Sequence, residues 1–247
     1  MEKEEVKHME HKMYDIHMHI VPGVDDGSWS LDMSDSMLYM AYQQGIRKII
    51  ATPHSSAYDR DYESTISAFQ QLKEQKQKWL EVELYLGCEV NCNRKNMQSI
   101  LGKLQSGIYP SLNQTPYVLT EFSTRIGRDE AIFCTMELLN AGWIPVLAHL
   151  ERYKQLFADE TVHELKKNGC LIQMNLYSVF DEGDEKIQQN ALYLVQQKLV
   201  DFLGTDAHRM NHRPPSAEDG LRFLYTNFEK EYIDKIAFGN AEQQLFG

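Results

Sequence analysis

Positive charge is scarce in this chain. Across 247 residues, 25 lysines and arginines stand against 36 aspartates and glutamates, a formal charge of −11. A broad nucleic-acid-binding face needs clustered Lys and Arg to meet phosphates, so no nucleic-acid partner is expected. No uninterrupted apolar run is long enough to span a bilayer, which argues against stable membrane insertion. The opening stretch MEKEEVKHMEHKM is charged and has no apolar core, so it reads as neither signal peptide nor anchor. Residues 1–13 are expected to form a flexible arm. Cysteine is limited to four, which without a secretion signal suggests reduced thiols and a cytoplasmic location. No Gly/Ser-rich or Pro-rich break interrupts the rest, so residues 14–247 are expected to form a single domain. The chain's 43% hydrophobic content suffices for a large core.

What is present begins with YDIHMHIVPGVDDGS, Tyr14 to Ser28. Tyr14, Ile16, Met18 and Ile20 alternate with Asp15, His17 and His19, the period of a strand with one apolar and one polar face. His17 and His19 then project from the same face, roughly 7 Å apart at the backbone, close enough to converge on one ion. The turn Pro22 to Gly27 can carry a carboxylate back over the strand end. Six further strands follow: IRKIIAT, ELYLGCEV, YVLTEF, IPVLAHL, CLIQMN and LVDFLGTD. Helices with apolar stripes alternate with them, such as Leu31 to Gln44 and the stripe Ile187, Ala191, Leu194, Val195. Seven strands at βα spacing predict an α/β fold with a parallel sheet, closed or nearly closed into a barrel. The polar, tyrosine-bearing stretch Ser55 to Tyr62 is expected to be a recognition loop or lid.

The chemistry-bearing side chains recur where these strands end. His17, His19, His54, Glu89, Glu121, His149, Asp206 and His208 lie at or just after six strand ends, and Asp26 reaches the same face from the first loop. In parallel barrels and sheets that face is where sites are built. Any one of these residues alone reads as structural, but the set points to a metal centre. Mixed imidazole and carboxylate ligands suit Mn, Fe or Zn better than Mg or Ca. Nine ligands exceed the needs of one ion. Arg152 and Arg213, close after His149 and His208, are placed to bind phosphate oxygens, with surface ion pairs as the plain alternative. Cys88 and Arg94 match the Cys-x5-Arg spacing of cysteine-dependent phosphatases. The intervening EVNCN lacks glycine and sets a carboxylate beside the thiol, which disfavours a phosphate-wrapping loop there.

The segments DIHMHIVPGVDDGS, ATPH, GCEV, LTEF, LAHLERY and GTDAHRMNHRPP, in this order and over nearly the whole chain, resemble the polymerase and histidinol phosphatase (PHP) superfamily. Within it they are similar to the bacterial manganese-dependent protein-tyrosine phosphatases of capsule and exopolysaccharide loci. The resemblance implies a distorted seven-stranded, TIM-barrel-like (β/α)7 fold with three divalent metal ions, Mn above all. It assigns His17, His19, Glu89 and Asp206 to one ion. Glu89, Glu121 and His149 go to a second, and Asp26, His54 and His208 to a third. Arg152 and Arg213 become the phosphate-binding catalytic pair. The substrate it implies is the phosphotyrosine-bearing tail of a bacterial tyrosine kinase that governs polysaccharide export. A small phosphate metabolite such as histidinol phosphate, and a non-catalytic metal-bound regulator, are the alternatives. The arm and the stretch after His54 depart from the family pattern, which bears on substrate preference. The oligomeric state is not legible.

Overall fold

Short β-branched and apolar runs, each followed by an amphipathic stretch, fold as the sequence pattern predicts into parallel strands alternating with helices. The computed structural model describes residues 11–76, 81–180 and 183–247. The strands are β1 (Met13–Met18), β2 (Ile46–Ala51), β3 (Glu83–Leu86), β4 (Glu89–Asn91), β5 (Tyr117–Glu121), β6 (Ile144–Leu147), β7 (Leu171–Asn175) and β8 (Phe202–Gly204). Between them run α1 (Leu31–Gln43), α2 (Ser55–Gln75), α3 (Met97–Gln105), α4 (Arg128–Asn140), α5 (Thr161–Lys167) and α6 (Glu185–Gln196); α7 (Glu218–Asn227) and α8 (Lys230–Asp234) follow β8. Ser30 caps α1, its hydroxyl accepting from the Met33 amide at 3.2 Å. Among the described residues no helix is long and apolar enough to cross a membrane.

Among the described residues all strand pairs are parallel, but the expected single run of seven strands is replaced by eight, in a three-stranded sheet β1-β2-β3 and a five-stranded sheet β4-β5-β6-β7-β8. The extra strand comes from a break in ELYLGCEV at Gly87-Cys88. The Gly87 amide still bonds Ala51 O (2.8 Å), and the Glu89 amide bonds Pro53 O (3.1 Å). Pro53 has no N–H to return, so the ladder with β2 is interrupted there; a single parallel bridge between His54 and Glu89 follows, and the segment continues beside β5. At the other edge the sheets meet where the Asp206 amide donates to His17 O and the His19 amide to Ala207 O, both 2.8 Å.

Alternate strand residues face two clusters. Ile50, Leu119, Val146 and Phe202 join Tyr14, Ile16 and the C-terminal Ala241 and Leu245. Ile49, Val118, Leu147 and Leu203 instead pack against helix residues such as Leu38, Leu138, Leu194 and Leu221. β1 does not keep one apolar face as its alternation predicts. Its pairing with β2 slips between Asp15 and Met18, three steps on β1 against two on β2. Tyr14 and Ile16 therefore lie in the first cluster, whereas Met18 and Ile20 lie in the second. This bulge turns His17 and His19 to the side that Ile16 occupied.

Ser55 to Tyr62 is not a loop but the opening of α2, which bends at Asp61 (φ −162°, ψ 95°). Tyr58 is buried and its hydroxyl donates to Gly87 O at 2.8 Å, which ties this segment to the scaffold. Of the expected arm, residues 1–10 lie outside the described residues, while Met13 is buried and opens β1.

Candidate metal centre

Each strand of the pair that meets at the seam ends on a turn carrying ligands, and the turns are what bring them together. After β1 the chain reverses at Gly23–Ser28, with the Gly23 amide on Ser28 O (2.7 Å) and the Ser28 amide on His19 O (3.0 Å). Gly27 lies so close to His19 that a Cβ there would come within 2.2 Å of His19 O, so only glycine lets the turn fold over the strand end. His149, Asp206 and Arg213 all take left-handed backbone conformations, φ +34°, +51° and +52°. Non-glycine residues held there cost about 1–2 kcal/mol each and cluster at functional sites.

Glu89 is the hub. Its Oε1 lies 3.2 Å from His17 Nε2 and 3.1 Å from His149 Nε2; its Oε2 lies 3.2 Å from His19 Nε2 and 3.0 Å from His54 Nδ1. His17 Nε2 and His19 Nε2 are 3.3 Å apart, and both approach Asp206 Oδ1, at 3.5 and 3.4 Å. Glu121 stands 3.9 Å from both His54 Nδ1 and His149 Nε2. Asp26 Oδ1 is 3.4 Å from His54 Nε2 and 3.6 Å from His208 Nε2. All nine predicted ligands thus belong to one connected cluster. Three groupings within it are tight enough to hold an ion: His17, His19 and Glu89; His54, Glu89 and Glu121; and Asp26, His54 and His208 together with His19. His54 stands between two of these groupings, where the family pattern gives it to one.

The hydrogen bonds behind the rings decide what they offer. Gln173 Oε1 accepts from the His149 amide at 2.9 Å and lies 3.0 Å from His17 Nδ1. An amide oxygen only accepts, so His17 Nδ1 carries a hydrogen and Nε2 is the nitrogen turned to Glu89; burial lowers the His17 pKa, but Glu89 and Asp206 outweigh it and raise it. Asp25 Oδ2 holds His19 Nδ1 at 2.8 Å in the same way. His208 Nδ1 is held by Asp206 O at 2.8 Å; burial and the neighbouring His19 push its pKa down to about 3, which keeps Nε2 unprotonated. Burial alone would raise the Glu89 carboxyl, but His17, His149 and His19 hold it well below the usual carboxylate range. The result is a set of ring nitrogens and carboxylate oxygens aimed at each other; against burial, the carboxylates raise the pKa of His17, His19 and His54, so an ion entering the cluster would displace protons. Two ligand atoms each about 2.1 Å from one ion stand about 3.0–3.4 Å apart, which matches the spacing around Glu89. The residues present fit divalent ions.

Arg152 and Arg213 converge on the far oxygen of Asp206. Arg152 Nη1 is 3.1 Å from Asp206 Oδ2, and Arg213 Nη1 donates to the same atom at 2.8 Å. Arg152 Nη2 also donates to the Tyr177 hydroxyl at 2.6 Å. Burial disfavours the charge on Arg152, but Asp206 holds its pKa above the ordinary value. Neither arginine is a plain surface ion pair.

Cys88 is buried, and its thiol is pushed well above its ordinary pKa by burial and by Glu89. Arg94 is turned away, its guanidinium over the Phe133 ring at 3.9 Å. The Cys-x5-Arg match forms no phosphate loop. Sequence reasoning gave no role to the residues that brace the candidate ligands and Arg152: Asp25, Gln173, Asn175, Tyr177 and Tyr153, whose hydroxyl accepts from the Phe122 amide at 2.9 Å behind Glu121. The one visible signal was the pair of polar side chains in β7, Gln173 and Asn175, alternating on a strand that supplies no ligand.

Comparison with known proteins gives a consistent result. The family model described as capsular polysaccharide synthesis, CpsB/CapC, matches residues 13–246. The tyrosine-protein phosphatase CpsB of Streptococcus agalactiae serotype III is 30% identical over 242 residues, covering 94% of this chain and 98% of that protein. The tyrosine-protein phosphatase YwqE of Bacillus subtilis is 32% identical over 241 residues, covering 94% and 91%. A solved chain from the work on YwqE of Bacillus subtilis and CpsB of Streptococcus pneumoniae, described as unique metal-dependent tyrosine phosphatases, superposes with a TM-score of 0.84 at 29% identity and covers 95% of this chain and 94% of that one.

Proposed function

The chain belongs to the CpsB/CapC family of capsular polysaccharide synthesis, and from that premise we propose that it is a metal-dependent protein-tyrosine phosphatase whose substrate is the phosphotyrosine tail of a bacterial tyrosine kinase controlling capsular or exopolysaccharide synthesis. The observation that carries this reading is Glu89, whose two oxygens each lie within 3.2 Å of two imidazoles in a cluster closed by Asp206 and two guanidinium groups. Three ions, Mn foremost, would be held by His17, His19, Glu89 and Asp206; by Glu89, Glu121 and His149; and by Asp26, His54 and His208. When bound, such ions supply Lewis acidity and a nucleophile at neutral pH.

The chain's own residues do the rest. Arg152 and Arg213 present fixed guanidinium forks to the phosphate oxygens, and Asp206 and Tyr177 hold the forks in place until substrate arrives. As charge builds on those oxygens, the forks are already oriented. His149 and the half-buried Glu121 stand beside Glu89, which is itself buried from solvent. Turnover of a phosphotyrosyl peptide compared with histidinol phosphate, on Mn-loaded protein, tests the proposal. A strong preference for the peptide supports it. A preference for histidinol phosphate would favour the metabolite reading, and binding of the tail without turnover of any aryl phosphate would favour a regulator.

A further inference from the structure

β7 is flanked on both sides by strands that end in ligands, yet it provides none. Instead its two inward polar side chains touch the ligands of its neighbours. Gln173 Oε1 receives the His149 amide (2.9 Å) and faces His17 Nδ1 (3.0 Å), and Gln173 Nε2 donates to Asn175 Oδ1 at 2.9 Å. Asn175 Nδ2 donates in turn to Asp206 Oδ2 at 3.1 Å. The Asn175 amide donates to Glu151 Oε1 (3.1 Å), a fully buried carboxylate that also accepts from Ser178 Oγ at 2.8 Å. Gln173, Asn175 and Glu151 are all buried. Room for Gln173 is made by Gly204 on β8, where a Cβ would meet Gln173 Nε2 at 2.8 Å and His17 Cβ at 2.9 Å.

We infer that Gln173 is a positioning residue for two ions at once: its one oxygen fixes the tautomer of His17 and the left-handed backbone of His149, which serve different ions, so the two are bound as a coupled pair. This rests on the metal-centre reading above. The buried His17 ring is held at Nε2 by Glu89 and Asp206 and at Nδ1 by Gln173, and losing the Nδ1 tie leaves its tautomer and tilt less fixed. Without the tie, Nε2 points at Glu89 in only part of the population, and apparent metal affinity falls by that fraction. The His149 amide, buried and left-handed, loses its acceptor in the same event. The pocket of Asp26, His54 and His208 has no contact with Gln173, and its ring His208 is held by Asp206 O instead. Loss of Gln173 should therefore weaken two ions and spare the third.

The test is Mn binding by equilibrium dialysis with elemental analysis on the full chain, for wild type, Gln173→Leu, Gln173→Glu and Met174→Ala. Gln173→Leu keeps the shape and removes the acceptor; we expect two of three ions to bind about 10–100-fold more weakly. Gln173→Glu keeps the acceptor and should bind within a few-fold of wild type, even if Gln173→Leu does not fold. Met174→Ala removes a buried side chain from the opposite face of β7 and should lower the melting temperature without changing metal affinity. Wild-type binding with unchanged affinity in Gln173→Leu, or an equal loss in folded Gln173→Glu, overturns the inference while leaving the metal centre standing. Absence of stoichiometric binding by wild type would instead defeat the metal reading itself.

Discussion

At the scale of single residues, Asp206 joins the candidate metal ligands to the two arginines, and in the proposed function it couples metal binding to phosphate binding. Its Oδ1 faces His17 and His19 while its Oδ2 receives Arg152, Arg213 and Asn175. The two jobs separate by mutation. Arg152→Met is expected to lower kcat/KM on a phosphotyrosyl peptide by roughly 10²–10³, as for loss of one preorganised charge-stabilising donor, while elemental analysis finds the metal content of wild type. A parallel loss of metal would place Arg152 in ligand support instead. Similarly, His17→Ala should deplete the ion shared with Glu89 and Asp206, whereas Asp26→Ala should deplete the one at His54 and His208; equal loss of all metal in both variants would contradict that division. The clustering of the nine candidate ligands was legible because histidine and carboxylate at the ends of apolar runs have few packing reasons. Their supports were not. Gln173, Asn175 and Asp25 are ordinary polar residues in sequence, and only proximity reveals what they hold. The left-handed conformations of His149 and Asp206 were equally invisible, because neither position is a glycine.

At the scale of elements, the bulge in β1 shows why a correct pattern led to an incomplete picture. Strict alternation placed His17 and His19 on one face, which holds, and four apolar residues on the other, which fails after Ile16. The slip in register against β2 is a property of the pair, and one strand's sequence does not contain it. The split of ELYLGCEV into β3 and β4 has the same origin, since it depends on Pro53 just past the end of the neighbouring β2. Ser55 to Tyr62 looked like a loop by composition, yet Ala57 and Tyr58 are buried, and tertiary contact outweighs composition. At the opposite end from the ligands, Leu245 of the C-terminal helical turns packs against Tyr14, Ile16 and Ile50. Leu245→Ala should cost about 2–5 kcal/mol in a denaturant titration and leave metal content unchanged. A change in metal content would show that this end communicates with the site.

At the scale of the whole molecule, the metal cluster spans both sheets. His17 and His19 come from the three-stranded sheet; Glu89, Glu121, His149 and Asp206 come from the other or its ends. Each ion bound only by the folded chain adds about 2.7 kcal/mol at a concentration 100 times its Kd, worth roughly 5–10 °C in melting temperature for a chain of this size. Chelation should lower the Tm by at least that amount, and re-addition of Mn should restore it; an unchanged Tm would mean the sheets hold together without the ions. The same dependence must appear in the chemistry. Hydrolysis of a phosphotyrosyl peptide, followed alongside metal content per chain as EDTA strips the protein and Mn is returned, should fall and recover in step with occupancy, and should persist at the wild-type rate in Cys88→Ser. Activity that survives complete metal removal, or disappears in Cys88→Ser while metal remains bound, would contradict a metal-dependent phosphatase centred on Glu89.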